Sequence, residues 1–599
     1  MLGLPNSHSE DYLDLALSVL DQDPLGITSR KDLDADRRTL CNRFAKEGLS
    51  FLTKTLPLLG KALDLGLVEL RLQVPREFKK AHKCTGIPAF LQAYFRRIFD
   101  VDGCILEDAD PDAVKHLRQF LFMLYKLELP YSKASEQRVI ANFKATELEL
   151  ELGGDTETRA LLAAASYVVR EVLQGFDPKE IIPKHGPGSV ATGERLEEKW
   201  VFSRLFKGIH RVYPYYEYYL AGWGKELMDR LDWYRSLERL ETGVAKVVLV
   251  PKDSRGPRLI SCEPLEYQWI QQGLGRKLVA HLESSRITQG KINFRDQEVN
   301  RELALESSRT QEYATLDLKE ASDRVSVDLV RELFANNEDT LQCLLATRTT
   351  ATRLPDGEVL PLQKFAPMGS ALCFPVEALC FWSIAVAAVM RRYRLPRQLV
   401  GSRIFVYGDD IIVPTDWSET VVQGLEACRL KVNAAKCCTT GSFRESCGMD
   451  AFKGVPVTPT RLKQPWVESR NGSTYAAWTA FANQMENKGY ALCALLAWKK
   501  LENLYGFMPY GLSDSPFPCK IVSSMTQARA LNRGRVRQRW NAQYQRSEVM
   551  VNCLKSGRLS STLDGWARML RNLVSPSFDD PTSVVLPKST KIKLRWSSY

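Results

Sequence analysis

Fourteen cysteines contain no C-x-x-C pair, and the six histidines (His8, His82, His116, His185, His210, His281) are scattered without ligand spacing, so no zinc site is expected. Cys437 and Cys438 are adjacent, too close for an ordinary disulfide, and the cysteines read as reduced thiols of a cytosolic protein. The start, Met1-Leu2-Gly3-Leu4-Pro5 followed by acidic residues, lacks the basic and apolar segments of a signal peptide. No repeat and no long low-complexity tract divides the chain. Long apolar runs are also scarce. The longest, Phe365 to Met390, is divided by Gly369 and Pro375, and its helical part, Ala378 to Met390, is shorter than the roughly 20 residues that cross a bilayer. A buried helix is expected there, and no membrane partner.

What is present is ordinary globular material: 44% hydrophobic and 26% charged residues over 599 positions, enough for a sizeable core. The net charge of +11 permits a polyanionic partner without identifying one. Residues 1–243 read as mainly helical, with apolar three- and four-residue spacing in Asp11 to Leu20, Phe51 to Leu70 and Asp112 to Leu129. Residues 176–200, rich in proline and glycine, read as a loop-rich connection. From residue 244 the pattern changes to strands. Val247 to Val250 is a β-prone run. Tyr313 to Leu318 alternates Ala314, Leu316 and Leu318 with Tyr313, Thr315 and Asp317, which predicts a half-buried strand with Asp317 at its exposed end. A helical stripe follows from Val325 to Phe334, with Ser322 and Asp323 placed to cap it. Ile404 to Val406 and Ile411 to Val413 predict a hairpin with Tyr407-Gly408-Asp409-Asp410 at its tip.

Two apolar strands around a tip with adjacent aspartates are costly unless a cation compensates the charge. If the Asp317 strand lies beside the hairpin, Asp317 and Asp409 converge. Such hard oxygen donors suit two Mg²⁺ ions, with Mn²⁺ as a substitute, and favour activation of a hydroxyl and neutralisation of a pyrophosphate leaving group. Taken alone, the same tetrapeptide also suits a plain turn. Upstream, Lys252, Arg255 and Arg258 stand at three-residue intervals around a turn, a pattern able to grip a triphosphate or to form a solvated basic loop. Between the acidic elements, Met368 to Glu377 is a small-residue loop entering the apolar run. Gly369 there allows close backbone approach to a ribose or base, although a buried helix start reads the same way.

In order, these motifs resemble the palm of right-hand RNA-directed RNA polymerases, and more narrowly the replicase subunits of the single-stranded RNA bacteriophages, the leviviruses. The matching segments are Val250-Pro251-Lys252 to Arg258 with Glu263-Pro264, Asp317 to Asp323, Met368-Gly369, Tyr407 to Asp410, and Phe443-Arg444-Glu445-Ser446-Cys447-Gly448. The resemblance implies an α+β fold with fingers, an antiparallel-sheet palm and a helical thumb. It implies that Asp317, Asp409 and Asp410 are catalytic and metal-binding, and that Lys252, Arg255 and Arg258 contact the triphosphate. Ser322, Gly369 and Glu377 would lie near the nucleotide, and the Arg444 segment would hold the primer strand. Lys436 would be a proton donor to pyrophosphate or a surface lysine. Cys373 departs from the threonine usual in the broader polymerase pattern. Implied partners are template and product RNA, ribonucleoside triphosphates, and the host elongation factors Tu and Ts with the largest small-subunit ribosomal protein, in the cytoplasm of a bacterial host.

The expected division is 1–243 helical, 244–300 fingers with the basic loop, 301–460 palm, 461–575 basic helical thumb and 576–599 basic tail. In the thumb, Arg533, Arg535, Arg537 and Arg539 with Trp540 have the composition of a single-stranded RNA channel, or of a solvated helix face. The tail, with Lys588, Lys591, Lys593 and Arg595, is expected as a mobile RNA contact or as disorder. Two rival functions stand. A reverse transcriptase normally carries a bulky aromatic five residues after the first aspartate, where this chain has Ser322. A non-catalytic RNA-binding palm would have lost carboxylates that are all present here.

Overall fold

The computed structural model describes residues 9–220, 228–560, 563, 565–574 and 583–599. Two large cores organise them. One surrounds the helix Cys373–Tyr393 and takes in the helices Thr156–Val172, Leu265–Ser284 and Val327–Phe334 with the strands Tyr313–Lys319 and Asp410–Pro414. The other joins the helices Ser9–Asp21, Leu56–Glu69 and Pro111–Phe122 to Gly472–Asn487 and Ala491–Tyr505, far along the chain. The first 243 residues are therefore not one unit. Their opening helices present apolar stripes that are buried against helices beyond residue 470, which is a long-range pairing that local periodicity does not encode.

The apolar helix begins at Cys373 and carries Pro375 in its first turn, where a missing N–H breaks no helical bond. Among the described residues it is the one helix long and apolar enough to cross a bilayer, and it is buried inside the protein.

The central sheet is antiparallel, in the order Lys431–Val432, Tyr313–Lys319, Asp410–Pro414, Phe405–Tyr407. Tyr313–Lys319 is buried on both faces, not one: Thr315 and Asp317 are covered as well as Ala314 and Leu316. On the second face the Thr315 hydroxyl accepts from the Glu445 N–H at 3.4 Å, while the main chain of Cys438 pairs with Thr315 along the strand's edge. Ser326, not Ser322 or Asp323, caps the following helix by accepting from the Leu329 N–H. Ser322 and Asp323 form a separate helical turn, Ala321–Arg324.

A second sheet pairs Val244–Asp253 with Gly256–Cys262 as a hairpin and with Ala351–Arg353 in parallel. The C-terminal part departs most from expectation. After the helix Met525–Asn532, the strands Gln538–Asn541, Arg546–Ser560 and Ser583–Ser598 form an antiparallel sheet. The region expected as a basic helical thumb is thus partly β, and Ser583–Ser598 is a paired strand, not a loose tail. Residues 576–582 and the Lys588 side chain lie outside what is described.

Candidate active site

The hairpin tip is shaped by Gly408, whose φ of +63° suits a residue without Cβ; a Cβ there would stand 2.0 Å from the Phe374 ring. Phe374, in the first turn of the buried helix, meets the edge of Tyr407 at 5.6 Å and that of Phe294 at 5.5 Å. The Tyr407 hydroxyl donates to the Phe294 carbonyl at 2.9 Å. This aromatic cluster fixes where the two aspartates emerge.

Asp317 stands directly across from Asp410 in the antiparallel register, which brings the carboxylates of the two elements to one end of the sheet. Asn433 Nδ2 donates to Asp317 Oδ2 at 2.7 Å, and Lys436 Nζ lies 2.8 Å from Asp317 Oδ1. The Cys447 N–H donates to Asp410 Oδ2 at 3.1 Å. Asp409 is open to solvent at the tip, yet enough protein surrounds it that desolvation, followed by the Asp317 charge, raises its pKa; Lys436 and Arg258 oppose the rise. Desolvation and then Asp409 push Asp410 up to about 6. These carboxylates repel one another, and the cations in reach do not cancel that repulsion. The chemistry fits a hard divalent cation: oxygen-only donors, converging charge, and an ammonium already seated on Asp317. Among the described residues, no three His, Cys, Asp or Glu side chains already stand at ligand spacing, so binding would require Lys436 to withdraw and the carboxylates to turn inward.

The basic residues flank this end. Arg258 is paired across from Val250, and burial followed by Arg258 lowers the pKa of Lys252. Arg255 is turned aside: its Nε and Nη2 donate to Asp253 at 3.1 and 2.7 Å. Gly369, with φ +129°, lies so close to the basic hairpin that a Cβ would come within 2.1 Å of the Ser261 carbonyl. The Ser261 N–H donates to the Met368 carbonyl at 2.8 Å, locking the two segments together. Glu377 is buried, with Cys373 Sγ 3.7 Å from its Oε2. Burial and then Asp409 hold the Glu377 carboxyl well above the usual range. Ser322 is buried close by, where it partly offsets the rise that burial causes at the Cys373 thiol.

Arg444 differs from expectation. It is fully buried and donates to the carbonyls of Tyr313 (2.6 Å), Thr440 (3.1 Å), Gly441 (3.0 Å) and Phe443 (2.8 Å). It braces the segment against the central sheet and offers RNA no face. Arg533, Arg535, Arg537, Arg539 and Trp540 are exposed around the C-terminal sheet, not on a helix. Arg539 lies 4.3 Å from the Trp596 ring centroid and Arg535 5.2 Å from that of Phe507. The sequence reading missed Asn433 and the Cys447 N–H. No motif flags an asparagine in a turn, and a backbone donor has no residue signature at all.

Residues 210–471 match the family described as RNA replicase, beta-chain. The RNA-directed RNA polymerase subunit beta of Enterobacteria phage SP is 35% identical over 220 residues, covering 37% of this chain and 36% of that one. The Escherichia virus Qbeta subunit of the same name is 35% identical over 220 residues, 36% of this chain and 35% of that one. The RNA-directed RNA polymerase beta chain of Enterobacteria phage GA is 32% identical over 319 residues, 51% and 56% of the two chains. The matched part thus spans little more than a third of the first two relatives and about half of the third. The resemblance to the levivirus replicases carried by the motifs is borne out. A solved RNA-dependent RNA polymerase, that of BmCPV at elongation state, overlaps 56% of this chain and 32% of its own at 11% identity and TM-score 0.35, a likeness that carries no argument.

Proposed function

We propose that this chain, which matches the RNA replicase beta-chain family over residues 210–471, is an RNA-directed RNA polymerase that joins ribonucleotides on an RNA template. The observation that carries the reading is the cross-strand pair Asp317 and Asp410 with Asp409 at the adjoining tip: three acids gathered where burial, followed by their mutual repulsion, raises the pKa of two of them. In this reading the fold is a right hand. The antiparallel sheet within 301–460 is the palm, the basic hairpin belongs to the fingers, and the helices after 461 belong to the thumb, sharing a core with the first helices of the chain.

Asp317, Asp409 and Asp410 would hold Mg²⁺, or Mn²⁺ in its place. The bound ions would lower the pKa of the attacking 3′-hydroxyl and neutralise the departing pyrophosphate. The chain's own residues do the rest. Lys252 and Arg258 hold the triphosphate toward the carboxylates, and Arg255 stiffens the turn through Asp253. Lys436 keeps its proton because burial, which favours its loss, is outweighed by Asp317 together with Glu445 and Asp409, so on leaving Asp317 it can give that proton to pyrophosphate. Ser322 leaves room for a ribose 2′-hydroxyl where an aromatic side chain would not, which favours ribonucleotides over the reverse-transcriptase alternative. Glu377, whose carboxyl is held toward its protonated form by burial and then by Asp409, can hydrogen-bond that hydroxyl. The host partners implied by the resemblance, elongation factors Tu and Ts and the largest small-subunit ribosomal protein, would join the subunit in the cytoplasm of an infected bacterium.

The test is incorporation of labelled ribonucleotides by the purified chain on an RNA template with Mg²⁺, with and without host factors. Asp409→Ala should abolish synthesis while leaving the circular dichroism spectrum unchanged. Synthesis persisting in that variant, or an absolute preference for deoxynucleotides, would overturn the assignment.

A further inference from the structure

The opening helices also reach the cleft chemically. On the helix Leu56–Glu69, exposed Lys61 places its Nζ 5.5 Å from the centroid of the Tyr125 ring. Arg255 places its Cζ 5.0 Å from the same ring. Each cation is drawn to the ring, but the two repel one another. The neighbouring acid, Asp253, is already held by Arg255 in a two-pronged pair.

This juxtaposition is built from main-chain contacts, not from loose surface side chains. The buried Ser254 hydroxyl reaches the carbonyls of Thr53 at 2.8 Å and Tyr125 at 3.0 Å. The Lys252 N–H donates to the Tyr131 hydroxyl at 2.9 Å. The Ser135 hydroxyl and the Arg138 guanidinium donate to the Arg255 carbonyl at 2.9 and 3.2 Å. Thr53 lies in a π-helical turn, Phe51–Thr55, just before the Lys61 helix; such turns free carbonyls from the regular ladder and recur at functional sites. The tip of the basic hairpin is therefore stitched through Thr53 to the turn just before the Lys61 helix, and at several further points to residues 125–138.

Lys61 lies within electrostatic reach of Arg255 and Lys436, and Lys252 within reach of Arg255, Arg258 and Lys436, and Lys436 and Arg258 act in turn on Asp409. The cations come from three separate parts of the chain and gather beside the carboxylates. A compact polyanion such as consecutive phosphates on one nucleotide satisfies such a cluster better than the spaced phosphates of an RNA strand.

We propose that Lys61 binds the polyphosphate tail of the substrate nucleotide and the pyrophosphate released from it, brought to the cleft by the N-terminal helix and kept there by the Ser254, Tyr125 and Tyr131 contacts. The identity of the polyphosphate as substrate rests on the polymerase reading above; its binding does not.

The experiment is calorimetric titration of the full chain with inorganic tripolyphosphate, alongside fluorescence anisotropy with a single-stranded RNA oligonucleotide. Lys61→Gln should weaken tripolyphosphate binding about tenfold, Lys61→Arg should restore most of it, and Lys54→Gln, at an exposed lysine in the π-helical turn, should change nothing. RNA affinity should not move in Lys61→Gln, and in nucleotide incorporation KM should rise with kcat kept. Unchanged tripolyphosphate binding would overturn the proposal. So would a fall in RNA affinity as large as the fall in tripolyphosphate affinity, which would give Lys61 to the RNA backbone. Lys61-dependent tripolyphosphate binding by a chain that makes no RNA would sustain the site and sink the polymerase reading alone.

Discussion

The carboxylate cleft and the C-terminal sheet are both dense in charge, and they handle it in opposite ways. In the C-terminal sheet Glu548 is 2% exposed and accepts from Arg539 at 2.8 and 3.0 Å and from Arg546 at 2.9 and 3.0 Å. Arg539 first, then Asn541 and Arg546, hold its carboxyl down at about 2. Arg539 also stacks on Trp596. The charges there are answered within the fold. In the cleft they are not: Asp317, Asp409 and Asp410 gather at one end of the sheet, and Lys436 forms its ion pair with Asp317 alone among them. The comparison teaches that charge composition does not mark a site. Charge left uncompensated by its own fold does.

The largest effect expected is on chemistry. Asp317→Asn should lower nucleotide incorporation by on the order of a thousandfold or more, measured in single turnover at saturating substrate, whereas Arg539→Ala should leave that rate intact. Equal losses from the two changes would erase the contrast between the regions. Next comes the tip. Gly408→Ala combines a left-handed φ with a clash against Phe374 and should cost about 2–3 kcal/mol in denaturant unfolding.

A smaller effect follows from protonation. The folded protein raises Asp410 from 3.8 to about 6, so between those values the native state binds the proton that the unfolded chain releases. Metal-free protein in chelator should therefore be most stable at the acid end of that window and lose stability as pH rises through about 6. Asp410→Asn should remove that loss, gaining about 1 kcal/mol near pH 8 once solvent screening is allowed for. Thermal melts across pH check it, and a variant less stable than the parent at pH 8 would contradict it. The smallest effect is at the C-terminal sheet. Trp540, which is 64% exposed, should lower single-stranded RNA affinity a few-fold when changed to Ala. Arg539→Ala should lower it less, because that guanidinium is already engaged by Glu548.

How much of this was legible in the sequence follows the same division. The Asp317 strand, the hairpin and the buried helix announce themselves by local periodicity and a glycine tip, and the structure has them where the pattern predicts. The second covered face of the Asp317 strand was hidden, because the Thr315 side chain there meets Glu445, over a hundred positions away. Arg444 was misread for a related reason: four main-chain carbonyls, not an acidic side chain, receive its donors, and carbonyls leave no trace in a sequence. The C-terminal sheet had a signal that the sequence reading passed over. Lys591, Lys593 and Arg595 alternate with Ile592, Leu594 and Trp596, the two-residue period of a strand, and the high basic content drew attention to charge instead of to that period. Lys61 carries no local mark, since its meaning depends on Tyr125 and Arg255.

The central claim, that the uncompensated acids of the cleft serve a divalent cation in nucleotidyl transfer, is tested most directly by extension of an RNA primer on an RNA template by one nucleotide as Mg²⁺ is titrated. The wild-type chain should show saturable, Mg²⁺-dependent extension and Asp409→Asn none at any Mg²⁺ concentration. Extension by Asp409→Asn at the wild-type rate, or by the wild type in chelator, would contradict the account.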